Sequence, residues 1–471
     1  MECRPEVEGK IPDDLDGAYF RNTENPLLDA MRIYHPFDGD GMVHMVAFRG
    51  GEVSHRNRFI RTDGFLAEQQ AQKSLWPGIA EPMKLAKVDY GWGARGLLKD
   101  SSSTDVVVHG GEVITSFYQC GDLYRMSGTT LETLGKSQWH GDFPSATGVS
   151  AHPKVDEHTG EMMFFNYSNQ APYMHYGVVD EHQNLLNYCD IPLPGPRLSH
   201  DMAITEHYSV LNDCPLFTDP EAIRAGKHSV RFFPDIPTRI GVIPRHGQTA
   251  DLRWFDFKPT YVLHWINAFE EGDWVVMDGF FQINPSPTPK ENPTLYQAVF
   301  RMLDADEKLP RIHRWRMNMR TGQSEEFDLT DVISEFGMVN GRHSGRRHRY
   351  VYAATRVSGA FLFDGFIKHD LDTGNHEVLK LEAGVFGSEA SMAPRTGSSG
   401  EDDGYVITIT TDINNDSSEC LIFDASAFSS GPVARIKLPE RVSSGKNSFW
   451  AAGPTITGWD THNGPAGPLD D

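Results

Sequence analysis

The chain has 471 residues, with 43 Lys and Arg against 65 Asp and Glu, for a formal net charge of −22 at pH 7. That balance argues against a nucleic-acid backbone as partner and against docking to an anionic membrane through a basic patch. Five cysteines (Cys3, Cys120, Cys189, Cys214 and Cys420) share no CxxC spacing and read as isolated, reduced thiols rather than a disulfide framework or a zinc site.

The opening Met1-Glu-Cys-Arg-Pro5 carries charge and proline where a secretory leader would be apolar. No apolar run approaches the roughly 18 residues that a membrane span requires. The expectation is a soluble, cytoplasmic protein without a transmembrane segment. Aromatic residues at 11%, 44 glycines and 29 prolines suit a chain of strands and turns. Helical periodicity is scarce and confined to insertions, such as Leu66 to Leu75 and a short turn near Asp219-Pro-Glu-Ala-Ile-Arg224.

In chain order, β-branched or alternating runs occur at Asp105–His109, Glu112–Phe117, Tyr350–Ala354 and Tyr405–Thr410. Thr-Gly pairs at Thr159, Thr321 and Thr373 mark hairpins, because glycine supplies the positive φ these turns use. The last two stand about one four-stranded sheet apart, the repeat of a β-propeller, although the period is irregular enough to leave a large sandwich or barrel open. No Pro-, Gly- and Ser-rich linker divides the chain, so residues 1–471 are read as one domain.

Three histidines sit in or beside apolar, strand-like segments: His152 in Ser150-Ala-His-Pro-Lys154, His200 in Leu198-Ser-His-Asp-Met202, and His264 in Val262-Leu-His-Trp-Ile266. Neutral imidazoles held rigidly, with coordination positions left open, are what a non-haem iron site needs. Only a closed fold could gather residues so far apart. Each alone reads more naturally as a hydrogen-bonded core or surface histidine. Glu335 and Glu389 are acids in otherwise uncharged surroundings, and by themselves they read as turn or cap carboxylates. Gly148-Val-Ser-Ala-His152 lacks the second glycine of a nucleophile elbow, and no phosphate-binding or dinucleotide glycine loop is present. Arg342 to Arg349 is a basic run read as a solvated loop.

Taken together, several segments resemble the carotenoid cleavage oxygenase family. They include Gly9-Lys-Ile-Pro-Asp-Asp-Leu-Asp-Gly-Ala-Tyr-Phe-Arg-Asn22, Phe37-Asp-Gly-Asp-Gly-Met42 and Ala151-His-Pro-Lys-Val-Asp156. To these are added His200-Asp-Met-Ala-Ile-Thr205, Leu263-His-Trp-Ile-Asn-Ala-Phe-Glu-Glu-Gly272 and Leu421-Ile-Phe-Asp424. The resemblance covers nearly the whole chain. It implies an all-β, seven-bladed β-propeller whose short helical insertions cap the substrate entrance. It also implies Fe(II) as cofactor, with dioxygen and a hydrophobic small-molecule alkene as partners. By motif, His152, His200 and His264 match three iron ligands, while Glu335 and Glu389 match two glutamates that orient ligand rings.

The resemblance fails at two places near the metal. The fourth ligand motif reads Gly445-Lys-Asn-Ser-Phe-Trp450, with Asn447 where a histidine is expected, and the third orienting glutamate falls at about Tyr118. A carboxamide oxygen is a harder and weaker donor than imidazole, so Asn447 should lower Fe(II) affinity. His462 could substitute if the C-terminal tail folded back. The chain also lacks the strand that members often place before the Ile-Pro motif, which implies a blade without an edge.

Glu68-Gln-Gln-Ala-Gln-Lys-Ser-Leu-Trp76 is similar to the lignostilbene- and isoeugenol-cleaving branch. That branch sets a Tyr and a Lys around the substrate's phenol oxygen, at positions matching Ile79 and Phe117 here. Their replacement implies an apolar pocket for an alkene without a free 4-hydroxyl, of phenylpropenoid, stilbene or apocarotenoid type. The activity implied is cleavage of a C=C bond. A silent propeller binding a hydrophobic ligand, or a metal-dependent isomerase, is the alternative.

Overall fold

The segment Asp105-Val-Val-Val-His109 illustrates how this chain becomes a ring. Val106 and Val108 pack against Phe20, Val43 and Met45 of one neighbouring sheet, whereas Val107 faces the other way onto Met162 and Phe164 of the next. A strand buried on both faces needs apolar side chains at odd and even positions alike, which is why these strands read as continuous runs. The computed structural model describes residues 2–92, 98–143, 148–218, 230–357, 359–443 and 446–460. The expected turn near Asp219 and the proposed stand-in His462 lie outside them.

Seven antiparallel sheets surround one axis. Blade II is built from Asp105–His109, Glu112–Ser116, Tyr124–Ser127 and Thr133–Lys136, and blade III from Lys154–Val155, Met162–Tyr167, Met174–Val179 and Leu185–Asp190. Blades IV, V and VI begin with innermost strands Ala203–Ile204, Trp265–Glu271 and Glu335–Met338. In blade VII the inner strand Ser391–Pro394 pairs with Gly404–Asp412. Blade I is closed by the far end of the chain, since Ser448–Ala452 pairs with Gly17–Asn25 in the register Gly17↔Ala452 to Arg21↔Ser448. A side chain at Gly17 would meet the carbonyl of Ala451 and the ring of Trp450, so this junction needs glycine.

One apolar cluster fills each of the seven blade interfaces. Burying each Val, Ile or Phe there contributes about 1.5–3 kcal/mol. The N-terminus corrects the expectation of an edgeless blade. Glu6–Gly9 adds a strand outside Pro432–Lys437 of blade VII, and Glu2–Cys3 adds one outside Glu52–Phe59 of blade I.

The helices are insertions between strands. Asp63–Ala71 is N-capped by the Thr62 side chain, which accepts from the Phe65 amide. Leu295–Phe300, Arg301–Leu303 and Ala305–Lys308 interrupt blade V, and Met302, Leu303 and Lys308 wall a cavity over the axis. Among the described residues no helix is long and apolar enough to cross a membrane. The basic run at Arg342 to Arg349 is tied down by ion pairs, among them Arg346 to Asp156 (3.1 Å) and Arg349 to Asp370 (2.7 Å).

Candidate metal centre

At or within three residues of the start of every innermost strand stands a polar side chain. In blade order from II these are Asp105, His152, His200, His264, Glu335 and Glu389, with Asn447 completing the ring in blade I. The propeller thereby converts positions remote in sequence into neighbours. The Nε2 atoms of His152 and His200 stand 3.2 Å apart, and the candidate donor atoms of the three histidines all lie within 4.8 Å of one another. Their rings pack edge to face, with centroids separated by 4.8 to 5.3 Å. His152 adopts a left-handed backbone (φ 63°), which costs on the order of 1 kcal/mol and fixes the direction of its side chain.

The other ring nitrogens explain why Nε2 is the free donor. His264 Nδ1–H donates to Glu335 Oε2 (2.7 Å), an oxygen that also accepts the Phe336 amide (2.8 Å). His152 Nδ1 faces Asp105 Oδ2 at 3.6 Å. Such carboxylates select the tautomer and raise the donor strength of the ring. Burial, reinforced by the neighbouring imidazoles, pushes His152 and His200 well below the usual histidine range and keeps them neutral. Burial also opposes charge on His264, but Glu335 more than offsets it and the ring is held above its usual value. Burial raises the Asp105 carboxyl to about 7 and that of Glu389 to about 8.

Asn447 is 1% exposed. Its Nδ2 donates to the Thr104 carbonyl (2.8 Å), and among the described residues its buried Oδ1 has no hydrogen-bond partner. The three clustered imidazoles are a donor set that suits a divalent first-row metal. Glu389 is the other glutamate expected to orient a ligand ring, and among the described residues no fourth histidine joins the cluster for it to hold. Its Oε2 accepts the Ser448 backbone amide instead (2.5 Å).

Tyr118 does not take the place of a carboxylate. Its ring stands 6.2 Å from that of His200, and its carbonyl accepts the Tyr167 hydroxyl (2.6 Å). The next residue, Gln119, was not singled out from the sequence. It is 1% exposed, it lines the cavity beside His200, and both ends of its amide lack partners among the described residues.

Over the histidines lies a cavity of about 290 Å³ walled by Phe37, Ile79, Leu198, Leu263, Phe336 and Phe361, into which His200 and His264 face. Ile79 is on this wall as expected. Phe117 is one layer further out, edge-on to Tyr118 at 5.0 Å, and lines an adjoining recess. The cavity is not wholly apolar: Lys308 and Lys446 also reach it. A second, smaller space is lined by His152, Lys154, Asp201, His264 and Glu389 among apolar residues, with Lys154 paired to Asp201 (2.8 Å).

Fold and site together define a seven-bladed propeller with histidines from three successive blades gathered on its axis beneath a largely apolar chamber. Residues 1–452 match the family model described as retinal pigment epithelial membrane protein, and the chain belongs to that family, the carotenoid cleavage oxygenases. It is 31% identical to carotenoid 9,10(9',10')-cleavage dioxygenase 1 of Pisum sativum, across 94% of this chain and 86% of that one. It is 28% identical to isoeugenol monooxygenase of Pseudomonas putida, across 94% of each. The crystal structure of Pseudomonas brassicacearum lignostilbene dioxygenase superposes with a TM-score of 0.83 at 27% identity, covering 96% of both chains.

Proposed function

We propose that this protein is a non-haem Fe(II)-dependent oxygenase that cleaves a C=C bond of a largely apolar alkene, of apocarotenoid, stilbene or phenylpropenoid type, to aldehyde or ketone products. The observation that carries the reading is the clustering of His152, His200 and His264, with His200 and His264 facing a largely apolar chamber. Relatives whose names specify dioxygenase and monooxygenase activity on such alkenes support it.

His152, His200 and His264 would hold the metal through neutral imidazole nitrogens, with Asn447 Oδ1 as a weaker fourth donor. Bound Fe(II) would supply the binding and activation of dioxygen at the open side of the site. Glu335 keeps the His264 ring oriented and its proton on Nδ1. Phe37, Phe336 and Phe361 exclude water and align the alkene, so that the double bond lies over the histidines and not across them. The proposed compartment is the cytoplasm, where the five unpaired cysteines would stay reduced.

Asn447 and the neutral Gln119 favour one rival, a silent propeller that binds its hydrophobic ligand without turnover. Oxygen uptake by iron-loaded protein, with mass analysis of products from a panel of stilbenes, phenylpropenes and apocarotenals, separates the two. The oxygenase reading expects aldehyde formed in step with oxygen consumed. Iron-replete protein that consumes no oxygen with any of them would leave the silent propeller standing.

A further inference from the structure

Two lysines reach the chamber, and they are not equivalent. Lys446 is neutralised by Glu24 (2.6 Å), and its ammonium lies 3.4 Å over the Phe37 ring. Lys308 is 4% exposed and, among the described residues, has no carboxylate within ion-pair distance and no hydrogen-bond acceptor for its ammonium. Its closest favourable contact is the Tyr261 ring at 5.7 Å, and the Tyr261 hydroxyl is already spent on the Leu198 carbonyl (3.0 Å). The carboxylate with the largest influence on Lys308 is Glu335, which is committed to His264.

Nor is Lys308 at this position through a loose backbone. It ends the short helix Ala305–Lys308, whose N-cap is the Asp304 side chain. Its amide donates to the Asp304 carbonyl (3.0 Å), its carbonyl accepts the Asn284 amide (3.3 Å), and Leu309 closes the turn in a left-handed conformation (φ 53°). A buried ammonium is ordinarily matched by a counter-charge, and one held rigidly against an apolar chamber without a partner is a receptor for an incoming acceptor.

We propose that Lys308 anchors a single acidic oxygen, a phenolate or a carboxylate, at one end of the alkene substrate. This rests on reading the chamber as the substrate site, and it narrows the substrate class. The bulk of the molecule is apolar, with one acidic terminus placed by Lys308 while the double bond lies near His200 and His264. Ile79 and Phe117 offer no polar group, so the anchor comes from the blade V insertion instead.

The test uses iron-loaded protein kept anaerobic, so that nothing turns over, and measures dissociation constants by quenching of intrinsic tryptophan fluorescence. The probes are trans-stilbene-4-carboxylate, trans-4-hydroxystilbene and neutral trans-4-methylstilbene. Wild type should bind at least one of the oxygen-bearing probes tenfold or more tightly than the methyl compound, and which of them gains identifies the acid. Lys308→Met should erase that preference while changing the affinity for the methyl compound less than threefold, and Lys308→Arg should restore most of it. Equal affinity for all three probes in wild type overturns the anchor but leaves the chamber in place. A preference unchanged in Lys308→Met also overturns it, as does loss of all three probes in both variants. Failure of wild type to bind any probe overturns the chamber reading and the anchor with it.

Discussion

Replacing Lys308 by methionine should stabilise the protein, because the wild-type ammonium sits where charge is disfavoured. Burial lowers its pKa from the usual 10.5 to about 8, with Glu335 only partly offsetting the effect. At 1.36 kcal/mol for each pH unit, that gap means the buried charge costs about 3 kcal/mol at neutral pH. The sign follows from proton binding. Between pH 8 and 10.5 the unfolded chain still carries the proton and the folded chain does not, so wild-type stability rises with pH across that window. Below pH 8 both states are protonated and the full cost persists. In a chain of this size about 3 kcal/mol corresponds to a rise in Tm of about 3 °C. Thermal unfolding of wild type and Lys308→Met should therefore differ by that amount at pH 7 and converge as pH approaches 10. A variant less stable than wild type at pH 7, or a difference independent of pH, would show that Lys308 has a counter-ion and that the reasoning is wrong.

Three further outcomes are expected. Asn447→His should tighten Fe(II) binding about tenfold or more, since an imidazole replaces an amide oxygen and regains Glu389 as a partner, as read by anaerobic competition with a chromogenic chelator. Glu335→Gln should weaken metal affinity or activity about 10- to 100-fold with an unchanged circular dichroism spectrum, because His264 loses the carboxylate that fixes its tautomer. Phe164→Ala should cost about 3–5 kcal/mol in urea unfolding, since the ring is fully buried between blades II and III against Trp139.

The histidine cluster was legible only through the segments that resemble the family, since each histidine alone reads as an ordinary core or surface residue and closure of the propeller is what brings them together. His152, His200 and His264 are brought together as expected, and Glu335 meets His264. What the sequence hid has physical reasons. Gln119 stands one position beyond Tyr118 and both line the chamber, so the motif at Tyr118 does not by itself mark the buried amide. Lys308 follows Asp304-Ala-Asp-Glu307, which reads as an exposed charged turn; the packing of the insertion, through Met302, against Tyr261 buries it. The strands Glu2–Cys3 and Glu6–Gly9 are too short and polar to alternate, and they exist because backbone edges at Glu52–Phe59 and Pro432–Lys437 were available to pair.

The central claim is that three histidines and Asn447 still hold iron. It is tested most directly by the iron stoichiometry of wild type and His264→Ala after anaerobic Fe(II) loading and desalting. One iron per wild-type chain and a large loss in His264→Ala are expected. A wild type that retains no iron while Asn447→His does, or a His264→Ala variant that binds as well as wild type, would contradict it.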